Sequence, residues 1–466
     1  MEGDFKGIPF SVPYEIAVVR SLKQTTLRER EEALKRAYYN TELIPQEMVY
    51  VDLKTDSSVS SVSTRQVATA IGVNVLEAGA ELAPEASAGM GSLSRQFEEI
   101  FDYPFMVPCT RGRAAERIWA KIHVREGAIV PGNILFPSTR FHIESNGAKV
   151  ADVISEKAYD LFSDDPFKGN VDIEKLKAVI EEHGQEKIPC VYVELCVNSC
   201  GGHPVSLGNL EEVAAVLRPQ RIPLFLDASR ILENSYFIQR REKGYQRRSI
   251  TEIIRETCSC ADGCTLSALK NFSVREGGFI GMRDEKSYQK AYLQTFLDGS
   301  QPSSAALEAL NVSLQEIFRN DQYVASRVEQ VEYLWHALVG WQRLPEKGVP
   351  LLRPSGGHGV FIDVKEFLPH VSPENHRAES LAAFIYSISG VRITKGPPLA
   401  QNQTARGIEL LRLAVPARRY LRAHMDDVVE AVLYSFSHKD EIKGLKRIER
   451  PGRSKYDPPH FEPVEA

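Results

Sequence analysis

Lys270 stands in the stretch Asp262–Ile280 among small and apolar neighbours, Cys264, Leu266, Ala268, Leu269 and Phe272, and is followed by Gly277 and Gly278. Burial disfavours an ammonium and lowers its pKa, so a lysine in this setting either snorkels to the surface or serves as a nucleophilic amine. Three further groups stand where apolar runs end. Thr110-Arg111-Gly112-Arg113 opens a helical pattern, where free N–H groups, the helix dipole and two arginines make an anion cup suited to a phosphate. Asn198 closes the run Ile188–Val197 and is able to donate to a ring phenolate. Asp227 closes the next run, and a carboxylate there needs a cationic or donor partner, such as a protonated pyridine nitrogen. Cup, phenolate donor, pyridinium carboxylate and amine, in that chain order, are what pyridoxal 5'-phosphate requires of a protein. Each group alone has a plain structural explanation: Asp227 as a helix cap, Asn198 in the turn into Gly201-Gly202, Arg113 on the surface. Their joint occurrence outweighs those explanations.

The pattern around them predicts the frame. Residues 1–50 read as an N-terminal arm with an amphipathic helix at Leu27–Tyr39, followed by a short strand within Tyr50–Ser57 and a serine-rich loop at Ser57–Ser63. Leu76–Gly91, rich in Ala and Gly, reads as a loop leading into a helix at Ser92–Phe101. From Pro104, apolar strands (Phe105–Cys109, Gly132–Phe136, Ile188–Val197, and one within Ile222–Arg230) alternate with helices through Ile118–Val124, Ile173–His183 and Leu210–Leu217. That is the signature of a mostly parallel sheet covered on both faces, with ligands at the carboxyl ends of its strands. A long helix with an apolar stripe from Tyr323 to Leu338 ends at Gly340 and bridges to a smaller domain. There VPLLRP, Gly359–Val364 and Leu411–Pro416 read as strands, and Ala378–Ser389 and Met425–Ser437 as helices. The tail Lys443–Ala466 is charged and proline-rich and is expected to lack order unless the active site orders it. The resulting division is an arm plus part of the small domain at 1–60, a large cofactor-binding domain at 61–325 and a small α+β domain at 326–466.

Composition limits the function classes. The chain has 466 residues with 43% apolar and 26% charged, enough for more than one core. Its net charge of −5 gives no reason to expect nucleic acid or an anionic membrane as partner. No apolar run approaches the roughly 20 residues of a membrane helix, and the N-terminus lacks the basic flank and apolar run of a secretory signal. Seven thinly spread cysteines point to reduced thiols in a cytoplasm. Cys258, Cys260 and Cys264 lack a second pair at zinc-site spacing, so no metal is expected.

Several longer stretches carry a resemblance: YVDLKTDS, RGRAAE, STRFHIESNGA, VNSCGGHPVS, LDASRILENSYFI, ADGCTLSALK with GGFIGM, GGHGVFID, and ELLRLAVP followed by AHMD. Along nearly its whole length the chain resembles the tyrosine phenol-lyase and tryptophanase family of pyridoxal-phosphate β-eliminating lyases. The resemblance implies an α/β, aminotransferase-like (fold type I) enzyme with a large and a small domain, assembled as a homodimer or homotetramer and acting on an amino acid as its small-molecule substrate. It makes Lys270 the Schiff-base lysine, Asp227 the pyridinium partner, Asn198 the phenolate partner and Arg230 an active-site arginine. Arg111, Gly112, Arg113 and Ser267 would hold the phosphate, and Phe136 would stack on the ring. Arg412 would grip the substrate carboxylate, helped by Thr55. Lys395 would lie near the substrate side chain, and Tyr456, with His460 as a rival, would come over the substrate from the tail.

The chain also departs from that family. Family members carry a tyrosine after the serine-rich loop that protonates the leaving group, and here no Tyr occurs from Val51 to Asp102. A phenol or indole leaving through carbon needs a delivered proton, whereas a thiolate leaves more easily. Leu269 replaces a second lysine, Pro137 a hydroxyl residue and Arg111 a glutamine, and Arg275 stands in the neighbourhood of the family's monovalent-cation site. The expected reaction is cleavage of the bond from Cβ to its substituent, releasing pyruvate and ammonia, with a substrate other than tyrosine or tryptophan. The alternatives are β-replacement, retro-aldol cleavage or transamination in specialised biosynthesis, and a cofactor-binding protein without catalysis.

Overall fold

The structure is a computed structural model that describes residues 12–16, 19–79, 86–340, 348–396, 408–449 and 457–465. After the short β1 (Val51–Asp52), the chain builds a seven-stranded sheet from β2 (Phe105–Cys109), β3 (Ile129–Gly132), β4 (Lys149–Asp152), β5 (Val191–Glu194), β6 (Leu224–Asp227), β7 (Gly263–Ser267) and β8 (Gly278–Met282). Its order is β2-β8-β7-β6-β5-β3-β4. Pairing is parallel from β4 through β7, and β8 alone runs against its neighbours β7 and β2. Every residue of β5, β6, β7 and β8 is buried, as helix-covered strands require.

Two strands depart from expectation. The strand expected at Gly132–Phe136 lies earlier, at Ile129–Gly132, because the chain must leave the sheet at Gly132. A Cβ on Gly132 would stand 2.3 Å from the Tyr192 carbonyl oxygen. Asn133 then takes over the pairing with side-chain bonds to the backbone of Glu194, 2.8 and 2.9 Å long. β4 is an edge strand carrying Lys149 and Asp152, and its polar, part-exposed pattern hides it from an apolar-run search. Of the stretch Leu76–Gly91, residues 80–85 lie outside the described residues and the two ends are helical rather than loop. Helices run through Thr64–Gly79 and Ala86–Phe101, consistent with the helix preference of Ala, Leu, Glu and Met.

Among the described residues, two apolar cores are the largest. The larger gathers residues between Leu93 and Val328, including the rings of Phe97, Phe101, Phe272 and Phe279. The second joins Val51 and Leu53 to residues between Val331 and Ile442. The helix Gln322–Gly340 serves both, with Val324 and Val328 in the first and Val331, Leu334 and Leu338 in the second. Around the second core lie β9 (Gly359–Asp363), β10 (Val391–Arg392), β11 (Thr394–Lys395) and β12 (Leu410–Ala414). β9, β11 and β12 form an antiparallel sheet in the order β11-β12-β9, and β1 pairs with β10 in parallel. VPLLRP contributes a single bridge, Leu351 to Ile362, rather than a strand.

The tail is ordered where it is described. β13 (Leu445–Ile448) pairs with β14 (His460–Pro463). The Phe461 N–H bonds to the Tyr38 carbonyl at 2.9 Å, and the His460 ring stacks on Tyr38 at 4.0 Å. Contact with the N-terminal arm, not with the active site, orders this part.

Candidate active site

The cup begins where β2 ends. Arg111 is extended and the helix Gly112–His123 starts at the next residue. The N–H groups of Ala114 and Ala115 bond back to the Arg111 carbonyl and Arg111 bridges to Gly277, so the Arg113 N–H is the donor of the first turn that these contacts leave. Ser267, at the end of β7, presses onto Gly112: a Cβ there would stand 2.5 Å from that of Ser267. Only glycine lets Ser267 come this close to the start of the helix. The side chains of Arg111 and Arg113 are exposed.

Asp227 ends β6, 4% exposed, and accepts the Ser229 N–H at 2.9 Å. Lys270, half-buried, follows β7 in the short helix Ala268–Asn271. Its Nζ lies 5.4 Å from the centre of the Phe136 ring. Burial and the nearby Arg230 cation lower the Lys270 pKa, which favours the neutral, nucleophilic amine. Phe136 immediately precedes the helix Pro137–Ser145.

Asn198 follows β5 in a tight turn and is fully buried. Its Oδ1 lies 3.1 Å from Arg412 Nη1 and 2.8 Å from His358 Nε2. Its Nδ2 is buried without a partner, and so is Arg412 Nε. Arg412, on β12, also donates from Nη2 to the Lys54 carbonyl at 2.9 Å, which anchors the residue before Thr55. Burial pushes the Arg412 pKa down to about 10, leaving it a cation at neutral pH. Thr55 accepts the Ser57 N–H at 3.1 Å.

Arg230 is buried and forks onto Asp56, with contacts of 3.0 and 3.2 Å. Burial opposes the charge on Asp56, but Arg230, helped by His358 and Arg327, holds its pKa well below the carboxylate range. Arg327 extends the cluster, 3.7 Å from Asp56 and 3.6 Å from Glu233, whose other oxygen accepts Asn271 Nδ2 at 2.6 Å. The residues beside Lys270 and Asp227 are thus tied into one buried polar network.

Lys395 lies elsewhere. Thr394 is the partner of Arg412 across the β11–β12 ladder, so alternation turns Lys395 to the opposite face with Leu411. Its ammonium is exposed and pairs with Glu379 and Glu409, each at 3.6 Å. Tyr456 is outside the described residues, and His460 is occupied with Tyr38. Arg275 donates to the Ser58 carbonyl, while the Ser58 N–H bonds to the Leu269 carbonyl at 2.9 Å. Among the described residues no cluster of His, Cys, Asp or Glu is built for a metal ion.

Sequence reasoning missed Asp56, His358, Glu194 and Glu116. The first two stand inside the quoted stretches YVDLKTDS and GGHGVFID, so the signal was present. Glu194 and Glu116 give no sign of their burial in the sequence.

Pyridoxal phosphate fits these residues on the evidence of the structure. The glycine cradle at Ser267, the unpartnered Asn198 donor, the buried Asp227 and the Lys270 amine beside an aromatic face match its phosphate, phenolate, ring nitrogen and aldehyde.

Comparison with known proteins agrees. The sequence profile described as "Beta-eliminating lyase" matches residues 52–431. The chain is 38% identical to tyrosine phenol-lyase of Symbiobacterium sp., covering 98% of this chain and 99% of that protein. It belongs to the beta-eliminating lyase family. It is a divergent member, also 38% identical to the Pasteurella multocida tyrosine phenol-lyase over 97% of its length and 98% of that protein. Solved structures with the same fold include Sphingomonas wittichii serine palmitoyltransferase, with a TM-score of 0.63 at 13% identity, covering 89% of this chain and 97% of that one. A Thermus thermophilus aspartate aminotransferase double mutant matches with a TM-score of 0.58 at 15% identity, covering 88% and 97%. The protein is therefore an α/β, fold type I, pyridoxal-phosphate-dependent lyase.

Proposed function

We propose that this enzyme cleaves the bond between Cβ and its substituent in an amino acid, releasing pyruvate and ammonia, and that its substrate carries a better leaving group than phenol or indole. The observation that carries the reading is the pair of unpartnered buried donors, Asn198 Nδ2 and Arg412 Nε. One suits a cofactor phenolate and the other a substrate carboxylate, and Asn198 Oδ1 links their two side chains.

The residues divide the work. Gly112, Arg113 and Ser267 hold the phosphate, with the Arg111 side chain available to it, while Phe136 lies on the ring. Asp227 presents its carboxyl group to the ring nitrogen. When bound, pyridoxal phosphate withdraws electrons from the α-carbon and acidifies its hydrogen. Arg412 fixes the carboxylate, next to Thr55, and the Lys270 amine serves as the base for the α-hydrogen. That amine has the depressed pKa of a general base. Arg230, held by Asp56, supplies fixed positive charge beside the ring. Tyr456 is retained as a candidate to come over the substrate. The absence of Tyr between Val51 and Asp102 supports a leaving group such as a thiolate, whose conjugate acid has a pKa of about 8.5.

The same reading divides the chain at about residues 60 and 325, places it in the cytoplasm and makes it a homodimer or homotetramer. The seven free cysteines support a reducing compartment. The apolar face of the helix Glu285–Leu297, where Leu293, Phe296 and Leu297 are 59, 55 and 70% exposed, supports assembly. Pyruvate release from a panel of S-substituted cysteines, tyrosine and tryptophan tests the reaction. Release from the cysteine derivatives is expected, and no pyruvate from any of them would overturn the proposal.

A further inference from the structure

Asp227 has a buried acidic neighbour. Glu194 ends β5 as Asp227 ends β6, and the two are register partners in the parallel ladder, so their side chains leave the sheet on the same face. Glu194 is 3% exposed. Its Oε1 accepts the Asn198 N–H at 2.8 Å, and its Oε2 is buried with no donor to meet it.

We infer that Glu194 is a second carboxyl of the cofactor site, held as the neutral acid beside Asp227. The inference rests on the reading of Asp227 as the partner of the ring nitrogen.

Two adjacent buried carboxyls cannot both ionise without strong mutual repulsion. An ionised Glu194 would leave one oxygen dry and unpaired, which is costly, whereas a proton on Oε2 turns that atom into a donor. The cations on the adjoining elements, Lys270 after β7 and Arg230 after β6, favour the ionised form but do not prevail. Burial first, then the Asp227 charge, push the Glu194 pKa up to about 8. Glu116, on the cup helix, faces Asp227 from another side and is raised to about 7 by burial and by Asp227, while Ser138 donates to it at 2.5 Å. Tyr192, on the strand of Glu194, is occupied with Thr265.

Keeping the acid neutral has a chemical consequence. A neutral Glu194 spares the site a second buried negative charge next to Asp227. Glu194 also positions Asn198 by accepting its backbone N–H, so it serves two partners of the cofactor while being a positioning residue itself.

The test uses the full-length chain and compares E194Q with E194A. Difference infrared spectroscopy of the cofactor-free protein, wild type minus E194Q, cancels the Glu116 contribution. It is expected to show a protonated carboxyl at pH 7 that is lost with a midpoint near the value of about 8 given above. Pyridoxal phosphate titration is expected to show E194Q, a neutral isostere, binding at least ~10-fold more tightly than E194A, a difference the size of one charge-assisted contact. Absence of the protonated band, or equal cofactor affinity in the two variants, would overturn the inference. Should E194A fail to fold, the infrared arm decides alone. That arm needs no cofactor, so it stands apart from the cofactor reading, which fails separately if K270A keeps the visible absorption band of the loaded wild type.

Discussion

Arg412 and Asn198 are hydrogen-bonded to each other, Nη1 to Oδ1 at 3.1 Å, across the joint between the two apolar cores. A residue of β12 therefore orients the amide of a residue that follows β5, and the amide's free Nδ2 is what remains for the cofactor.

The first prediction follows from that bond. R412K keeps the charge but loses the fork that reaches both Asn198 and Lys54. It is expected to raise KM for the amino acid by about 100-fold, equivalent to roughly 3 kcal/mol for a buried charged contact. It should also weaken pyridoxal phosphate binding, through Asn198. Unchanged cofactor affinity would separate the two residues.

Asp56 and Arg230 form a buried pair, and removing one partner strands the other charge. D56A is expected to lower unfolding free energy by about 3–5 kcal/mol, read from chemical denaturation. The pH dependence has a definite sign. The folded pKa of Asp56 lies below its unfolded value of about 3.9, so the stabilisation is present above that pH and is lost as pH falls toward the folded value. The acid limb of the stability profile should be shallower in D56N than in the wild type.

Gly112 has no room for a side chain. G112A would place a methyl group 2.5 Å from the Ser267 Cβ and open the cup. A loss of pyridoxal phosphate affinity of ~30-fold or more is expected, about 2 kcal/mol of overpacking at one contact. Equilibrium dialysis measures it, and wild-type affinity in G112A would exclude Gly112 and Ser267 from the phosphate site.

Arg275 places a guanidinium on the Ser58 carbonyl, in the loop that also carries Thr55 and Asp56. Activity is expected to be equal in potassium and in a bulky organic-cation buffer, because a fixed cation already holds that carbonyl. A strict potassium requirement in the wild type would sink this assignment.

Much of this architecture was legible because parallel strands under helices are uniformly apolar and because each chemical group stands where such a run stops. Asp227 and Asn198 were visible for that reason, and the helix Gln322–Gly340 for its stripe. The edge strand β4 was not, since its polar side chains lack the signal of burial. Lys395 was placed near the substrate by resemblance alone, and which face of a two-residue strand a side chain takes becomes visible only from the register with β12. Glu194 was hidden differently. A glutamate inside an apolar strand reads as an interruption, and only the register beside Asp227 gives it a meaning.

Asp52 and Arg392 lie 340 residues apart in sequence and meet in a buried fork where β1 joins β10. During synthesis β1, together with the Thr55–Asp56 loop, leaves the ribosome long before its partner exists, while the seven strands of the large sheet are complete by Met282. The large sheet is thus free to form first, and the amino-acid end of the cleft closes only when the last third of the chain arrives. A truncated or stalled product would carry a cup for phosphate and an exposed lysine but no Arg412 to select a substrate. Closure of this long-range contact therefore comes late, and until then the Lys270 amine has no Arg412 beside it to select what it meets.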